Sequence, residues 1–261
     1  MPRYKLTIEY DGSPYNGWQV QKNETTVQGK LIEACSKIAD TPIKELYGAG
    51  RTDAGVHALG QVAHVDFKQN IKPEQLKYEL NELLPATISV VNVEAVKPNF
   101  HARYDAVARS YVYQIAQRKT AFGKKYVWWV KDSLDAAYMQ KIASLFAGFH
   151  DFSSFGENEK EEGSTKVEMI GINVTKTGDS ILIHFLASHY LWKMVRRLTG
   201  VLVEAGRRNI TEKNIENWLK FKSNEPAKLT APPSGLYLEN VYYQKDYTTI
   251  PSVSLLNLRK F

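Results

Sequence analysis

A chain of 261 residues, 43% hydrophobic and 24% charged, has the composition of an ordinary globular protein, which argues against disorder and leaves room for one large domain or two small ones. The 34 Lys and Arg outnumber the 28 Asp and Glu, giving a formal net charge of +6, which tilts the expectation towards a polyanionic partner such as nucleic acid. A single cysteine excludes an intramolecular disulfide, and no stretch reaches the ~20 apolar residues of a membrane span.

The N-terminus, "MPRYKLTIEYDG", carries no apolar signal core, so a cytoplasmic protein is expected. Tyr4, Leu6, Ile8 and Tyr10 alternate with polar residues and predict a half-buried strand. Thr25 and Gln28 have the spacing of a capping box at the head of a helix. In that helix Val27, Leu31, Ala34, Cys35 and Ile38 form one stripe, so Cys35 reads as a buried small apolar residue, not a reactive thiol. A short strand over 43–47, the glycine-rich loop "GAGRTDAG" at 48–55 and a strand at "QVAHVDF" follow. The segment "KPEQLKYELNELLP" predicts a helix with Pro73 in its first turn and Leu76, Leu80, Leu83 and Leu84 on one face. The strand "ISVVNVEAV" closes a β-α-β-β-α-β order.

The second half reads in the same way. The strand "RSYVYQIAQ" precedes a helix at "SLDAAYMQKIASLFAG", and the strands "VEMIGINVT" and "SILIHFLAS" flank the hairpin signal "KTGD". A helix over "YLWKMVRRLTGVLVEAG" carries a stripe from Leu191 to Ala205, with Lys193, Arg196 and Arg197 off it on a solvated face. A helix at "TEKNIENWLKFK" and a strand at "GLYLENVYY" complete the order. The expected fold is α+β: two ferredoxin-like halves, 1–105 and 106–247, joined into one extended, mainly antiparallel sheet with helices on one face. A tail covers 248–261, and the acidic stretch "GENEKEEGSTK" is a surface loop.

The glycine-rich loop poses the functional question. A dinucleotide cradle needs a third glycine where this chain has Asp53, and no Gly-Lys-Ser/Thr follows, so no nucleotide cofactor is expected. An Asx-type turn at Asp53-Ala54-Gly55 and a reactive carboxylate both remain open on these residues. The six histidines lack the spacing of metal ligands, and no metal is expected. The segment "FHARYDAVARSYVYQ" interleaves His101, Arg103 and Arg109 with aromatic rings, offering cations to phosphates and ring faces to bases. Tyr111 and Tyr113 share a strand face with Ile115, so core packing competes with base stacking there.

The stretches "YDGSPYNGWQ", "GAGRTDAGVHALGQV", "FHARYDA", "RSYVYQI", "DFSSF", "MVRRLTG" and "PPSGLYL" together resemble the tRNA pseudouridine synthase A family over nearly the whole chain. The resemblance implies the pseudouridine synthase fold and a cofactor-free isomerase that converts uridines at positions 38 to 40 of the tRNA anticodon stem-loop. It implies that Asp53 is the catalytic aspartate, that Arg51 helps to flip the uridine, that Tyr111 packs against the base, and that Arg196 is the ion-pair partner of Asp53. It further implies RNA contacts at Phe100, His101 and Arg103, and a homodimer with tRNA spanning both subunits. The alternative is a non-catalytic tRNA-binding or RNA-chaperone protein, against which the presence of Asp53, Tyr111 and Arg196 weighs.

Overall fold

The computed structural model describes residues 1–43, 45–157 and 163–247. Residues 158–162 of the expected acidic loop and the expected tail at 248–261 lie outside the described residues. Among those described, ten strands and six α-helices form a mixed α+β fold. The chain divides into two compact units, the first made of Met1–Val107 with Tyr237–Asp246 and the second built on Ala108–Leu236.

In the first unit, β1 (Arg3–Tyr10) buries Tyr4, Leu6, Ile8 and Tyr10, as its alternation predicts. It lies antiparallel between β3 (His57–Asp66) and β4 (Ile88–Val96), with Leu6 opposite both Ala63 and Val93. The three-residue β2 (Leu46–Gly48) takes the far edge of β3, giving the ferredoxin-like order β4-β1-β3-β2. Helix α1 (Val27–Ala39) starts one residue later than its expected box, because Thr26 is the N-cap and accepts from the Gly29 N–H. Gln28 is occupied elsewhere: its side chain accepts from Val20 N–H and donates to the Leu46 carbonyl, tying the helix to β2. Helix α2 (Pro73–Leu83) opens on its proline and buries Leu76 and Leu80, whereas Leu83 is 43% exposed.

The second unit opens with β5 (Ala108–Ala116), buried at every residue, so both of its faces are covered. The two-residue β6 (Trp128–Trp129) runs parallel to its end. Helix α3 (Ala136–Ala143), capped by Asp135, is shorter than expected and passes through a 3-10 turn at Ser144–Phe146 into β7 (Gly148–Asp151). Strands β8 (Lys166–Thr177) and β9 (Ser180–Ala187) form the expected hairpin, and the antiparallel order is β5-β9-β8-β7. Helix α4 (Met194–Gly206) begins four residues into the stretch read as helical. There the Glu157 and Trp192 backbones pair and Lys193 takes a left-handed φ of 61°, which halts a helix running from residue 190. Helices α5 (Glu212–Lys220) and α6 (Glu225–Lys228) follow.

The last strand, β10 (Leu236–Tyr242), stands next to the second half in chain order. From Tyr237 on it belongs to the first unit, with Tyr237 and Leu238 parallel to His57 and Ala58.

Cys35 is fully buried in α1, and burial pushes its thiol up to about 12. Native protein is therefore expected to resist a disulfide-exchange reagent that labels it promptly in guanidinium. Labelling at equal rates in both conditions would contradict the burial.

Candidate active site

Asp53 and Arg51 lie on the loop between β2 and β3, where Arg51 is exposed, Thr52 buried and Asp53 half-buried. The loop is seated on residues 10–18. The Trp18 N–H donates to the Thr52 carbonyl at 3.1 Å, the Gly55 N–H to the Tyr15 carbonyl at 3.3 Å, and the hydroxyls of Tyr10 and Thr52 are 2.8 Å apart. On the other flank Ala49 donates to the Val62 carbonyl, and the Gln61 amide to the Gly50 carbonyl at 2.9 Å.

Two glycines make this seating possible. A Cβ at Gly12 would stand 1.9 Å from the Val56 carbonyl oxygen, and one at Gly17 would stand 2.7 Å from the Thr52 carbonyl oxygen. Gly17 also has a φ of +92°, which side chains rarely tolerate. Within the loop the Val56 N–H closes a turn on the Asp53 carbonyl at 3.1 Å. The Gly55 N–H, the donor an Asx turn would use, is directed at Tyr15.

The segment 100–105 lies in the same unit and is anchored by Arg3. Its guanidinium makes a forked pair with Asp66, 2.7 Å on each arm, and donates to the Phe100 carbonyl at 2.7 Å. His101 is ringed by aromatic neighbours, with ring centroids at 4.3 Å to Tyr104, 4.7 Å to His64 and 5.4 Å to Tyr47. Its Nδ1 accepts from the Arg103 and Tyr104 N–H groups at 3.1 and 3.3 Å, a role that needs a free lone pair. Burial lowers the His101 pKa, and burial with the nearby Arg3 cation pushes His64 down to about 4. His101 thus offers a ring face instead of the positive charge its sequence context suggests. Arg103 is exposed and Tyr104 is 77% exposed.

Tyr111 and Arg196 lie in the second unit. Tyr111 is only 7% exposed and meets Tyr190 edge to face, centroids 4.9 Å apart. Tyr113 is the core member of the pair: it is fully buried, and its hydroxyl donates to the Pro232 carbonyl. Arg109 is also buried, its Nη1 donating to the Ser188 carbonyl, which corrects the reading of Arg109 as an open phosphate contact. Arg196 is half-buried on α4, with Nε donating to the Ala231 carbonyl at 2.8 Å. Arg197, expected on a solvated face, is 6% exposed and ion-paired with Glu157. The residues that hold the sites and that the sequence reading passed over are Tyr10, Trp18, His57, Tyr190 and Glu157. The glycines Gly12 and Gly17 of "YDGSPYNGWQ" are the available signal for Tyr10 and Trp18, which lie in the same stretch.

The Arg3 hydrogen bonds hold Asp66 below its ordinary value of 3.8. A carboxylate lowered on folding adds stability above its unfolded value, and that contribution fades as the pH falls through the folded value. Asp66→Asn is expected to lower the melting temperature at pH 7 and to lose less than the parent below about pH 4. Parallel melting curves across that range would contradict the role of the fork.

A family model described as tRNA pseudouridine synthase matches residues 6–105 and 142–244. The tRNA pseudouridine synthase A of Afipia carboxidovorans is 40% identical over 246 residues, covering 93% of this chain and 100% of the relative. Its namesake in Nitrobacter hamburgensis is 41% identical with the same coverage. The tRNA pseudouridine synthase A 1 of Protochlamydia amoebophila is 36% identical over 249 residues, 93% of this chain and 97% of the relative. The chain belongs to the tRNA pseudouridine synthase family of isomerases.

Proposed function

We propose that this enzyme converts uridine to pseudouridine at one or more of positions 38, 39 and 40 of the tRNA anticodon stem-loop, with Asp53 as the reacting carboxylate. The observation that carries this reading is the seating of Asp53. It is the one acidic residue of "GAGRTDAG", half-buried, on a backbone fixed at Thr52 and Gly55 by Trp18 and Tyr15.

The reaction breaks the bond from uracil N1 to C1' and makes one from C5 to C1', while the C5 hydrogen leaves as a proton and N1 gains one. It is an isomerisation, with no net oxidation and no change in mass. A carboxylate acting as nucleophile on the sugar or the base suffices to split it into two easier steps. A stem base is reached only after it leaves the stack, at a cost of a few kcal/mol that contacts to the displaced base and backbone offset.

Arg51, exposed on the same loop, is assigned to extracting the base, Tyr111 to packing against the flipped uridine, and Arg196 to the ion pair with Asp53 that the resemblance implies. Phe100, His101 and Arg103 are assigned to the RNA: Arg103 as a cation for phosphate, His101 and Phe100 as ring faces. The resemblance that gives these roles also implies a homodimer with tRNA across both subunits. No helix among the described residues is long and apolar enough to cross a membrane.

Asp53→Asn keeps the shape and removes the nucleophile. Turnover, read as tritium release from tRNA labelled at uridine C5, is expected to vanish while tRNA affinity stays within about tenfold. Full activity in this variant would sink the assignment. Arg103→Ala is expected to weaken tRNA binding and to make its dependence on salt shallower, since one fewer counterion is released. An unchanged salt slope in filter-binding titrations would remove Arg103 from the phosphate contacts.

A further inference from the structure

We infer that residues 10–18 form a clamp that positions Asp53, and that Tyr10 and His57 are positioning residues acting on the carboxylate through its loop. This rests on the reading of Asp53 as the reacting group.

The two residues hold opposite flanks of the loop. Before Asp53, Thr52 is fixed twice: its side chain by the buried Tyr10 hydroxyl at 2.8 Å, its carbonyl by the Trp18 N–H at 3.1 Å. After Asp53, the carbonyl of Val56 lies against the backbone of Gly12, where no side chain fits. His57 completes that contact. Its ring is 1% exposed, stacked on Tyr237 with centroids 4.8 Å apart and planes at 24°, and its Nδ1 accepts the Gly12 N–H at 3.0 Å.

Asp11 Oδ1 lies 3.2 Å from the same nitrogen, but that oxygen already accepts from the Ser13 N–H at 2.9 Å and the Ser13 hydroxyl at 2.6 Å. An Nδ1 that accepts from Gly12 carries its proton on Nε2. A buried imidazole therefore accepts from the backbone of Gly12, which lies against Val56, the third residue after the reacting carboxylate. The three residues from Asp53 to Gly55 are bracketed on both sides, which fixes where the carboxylate stands before substrate arrives. Catalysis by an oriented group depends on such placement, and an error of about 1 Å costs on the order of 100-fold.

The test separates positioning from mere support of the fold. His57→Leu removes the acceptor at similar bulk, His57→Asn returns a short acceptor near the Nδ1 position, and Tyr10→Phe deletes one oxygen atom. Single-turnover tritium release, tRNA Kd and melting temperature are measured on each folded variant. The clamp predicts rates lower by about 10- to 100-fold in His57→Leu and Tyr10→Phe, with Kd within about threefold of the parent. It also predicts recovery of most of the rate in His57→Asn.

If His57→Leu does not fold, Tyr10→Phe decides. Parent-like rates in Tyr10→Phe, and in His57→Leu where it folds, with losses confined to melting temperature, would overturn the clamp, as would a rate loss fully explained by weaker Kd. An inactive Asp53→Asn beside a fully active Tyr10→Phe and His57→Leu refutes the clamp alone. An active Asp53→Asn removes the reading of Asp53 itself.

Discussion

The placement of Asp53 depends on one close backbone approach, the packing of the 12–17 segment against the 52–56 loop. A side chain at Gly12 or Gly17 would overlap a carbonyl oxygen of the loop, so the contact exists only because both are glycine. It turns a glycine-rich stretch, which on its own would sample many conformations, into a defined shelf. The hydrogen bonds from Trp18 and to Tyr15 then satisfy backbone groups that a bare loop would leave to water. The aspartate stands on this shelf, so its position follows from residues some 35 to 40 places upstream.

The basic composition has a different meaning in the structure than in the sequence. The net charge of +6 suggests a surface ready for phosphates, yet several cations are engaged in holding the fold. Arg3 clasps Asp66 and the Phe100 carbonyl, Arg109 bonds to Ser188, and Arg197 is buried against Glu157. His64 and His101 are held towards neutrality by burial. What the 100–105 segment presents outward is narrower: one exposed arginine and the rings of Tyr104 and His101, with Tyr47 of β2 beside His101. That combination suits unpaired nucleotides, whose faces stack and whose phosphates pair, better than the outside of a regular duplex.

Local patterns in this chain are legible in its sequence, and long-range partnerships are not. The alternation of Tyr4, Leu6, Ile8 and Tyr10 and the proline-headed helix at Pro73 are local patterns, and both stand as elements. The Thr25–Gln28 box was displaced because Gln28 is engaged by Val20 and by Leu46, 18 residues away. The helix read from residue 190 was cut to start at Met194 because Trp192 pairs with Glu157. Arg197 looked solvated for the same reason, since its partner Glu157 is 40 residues distant and no period announces it. At Asp53 the residues alone left a turn and a reaction equally open, because the groups that close the loop, Tyr15 and Trp18, belong to another segment. The family resemblance supplied what spacing could not.

The chain is proposed to isomerise uridine in the anticodon arm of tRNA through the loop bearing Asp53. Mass does not report it, because isomerisation leaves mass unchanged. The direct measurement is a nucleotide-resolution chemical map of pseudouridine in unmodified tRNA before and after incubation with the purified protein. The account predicts new pseudouridine confined to positions 38, 39 and 40; an unchanged map, or modification placed outside the anticodon arm, would contradict it.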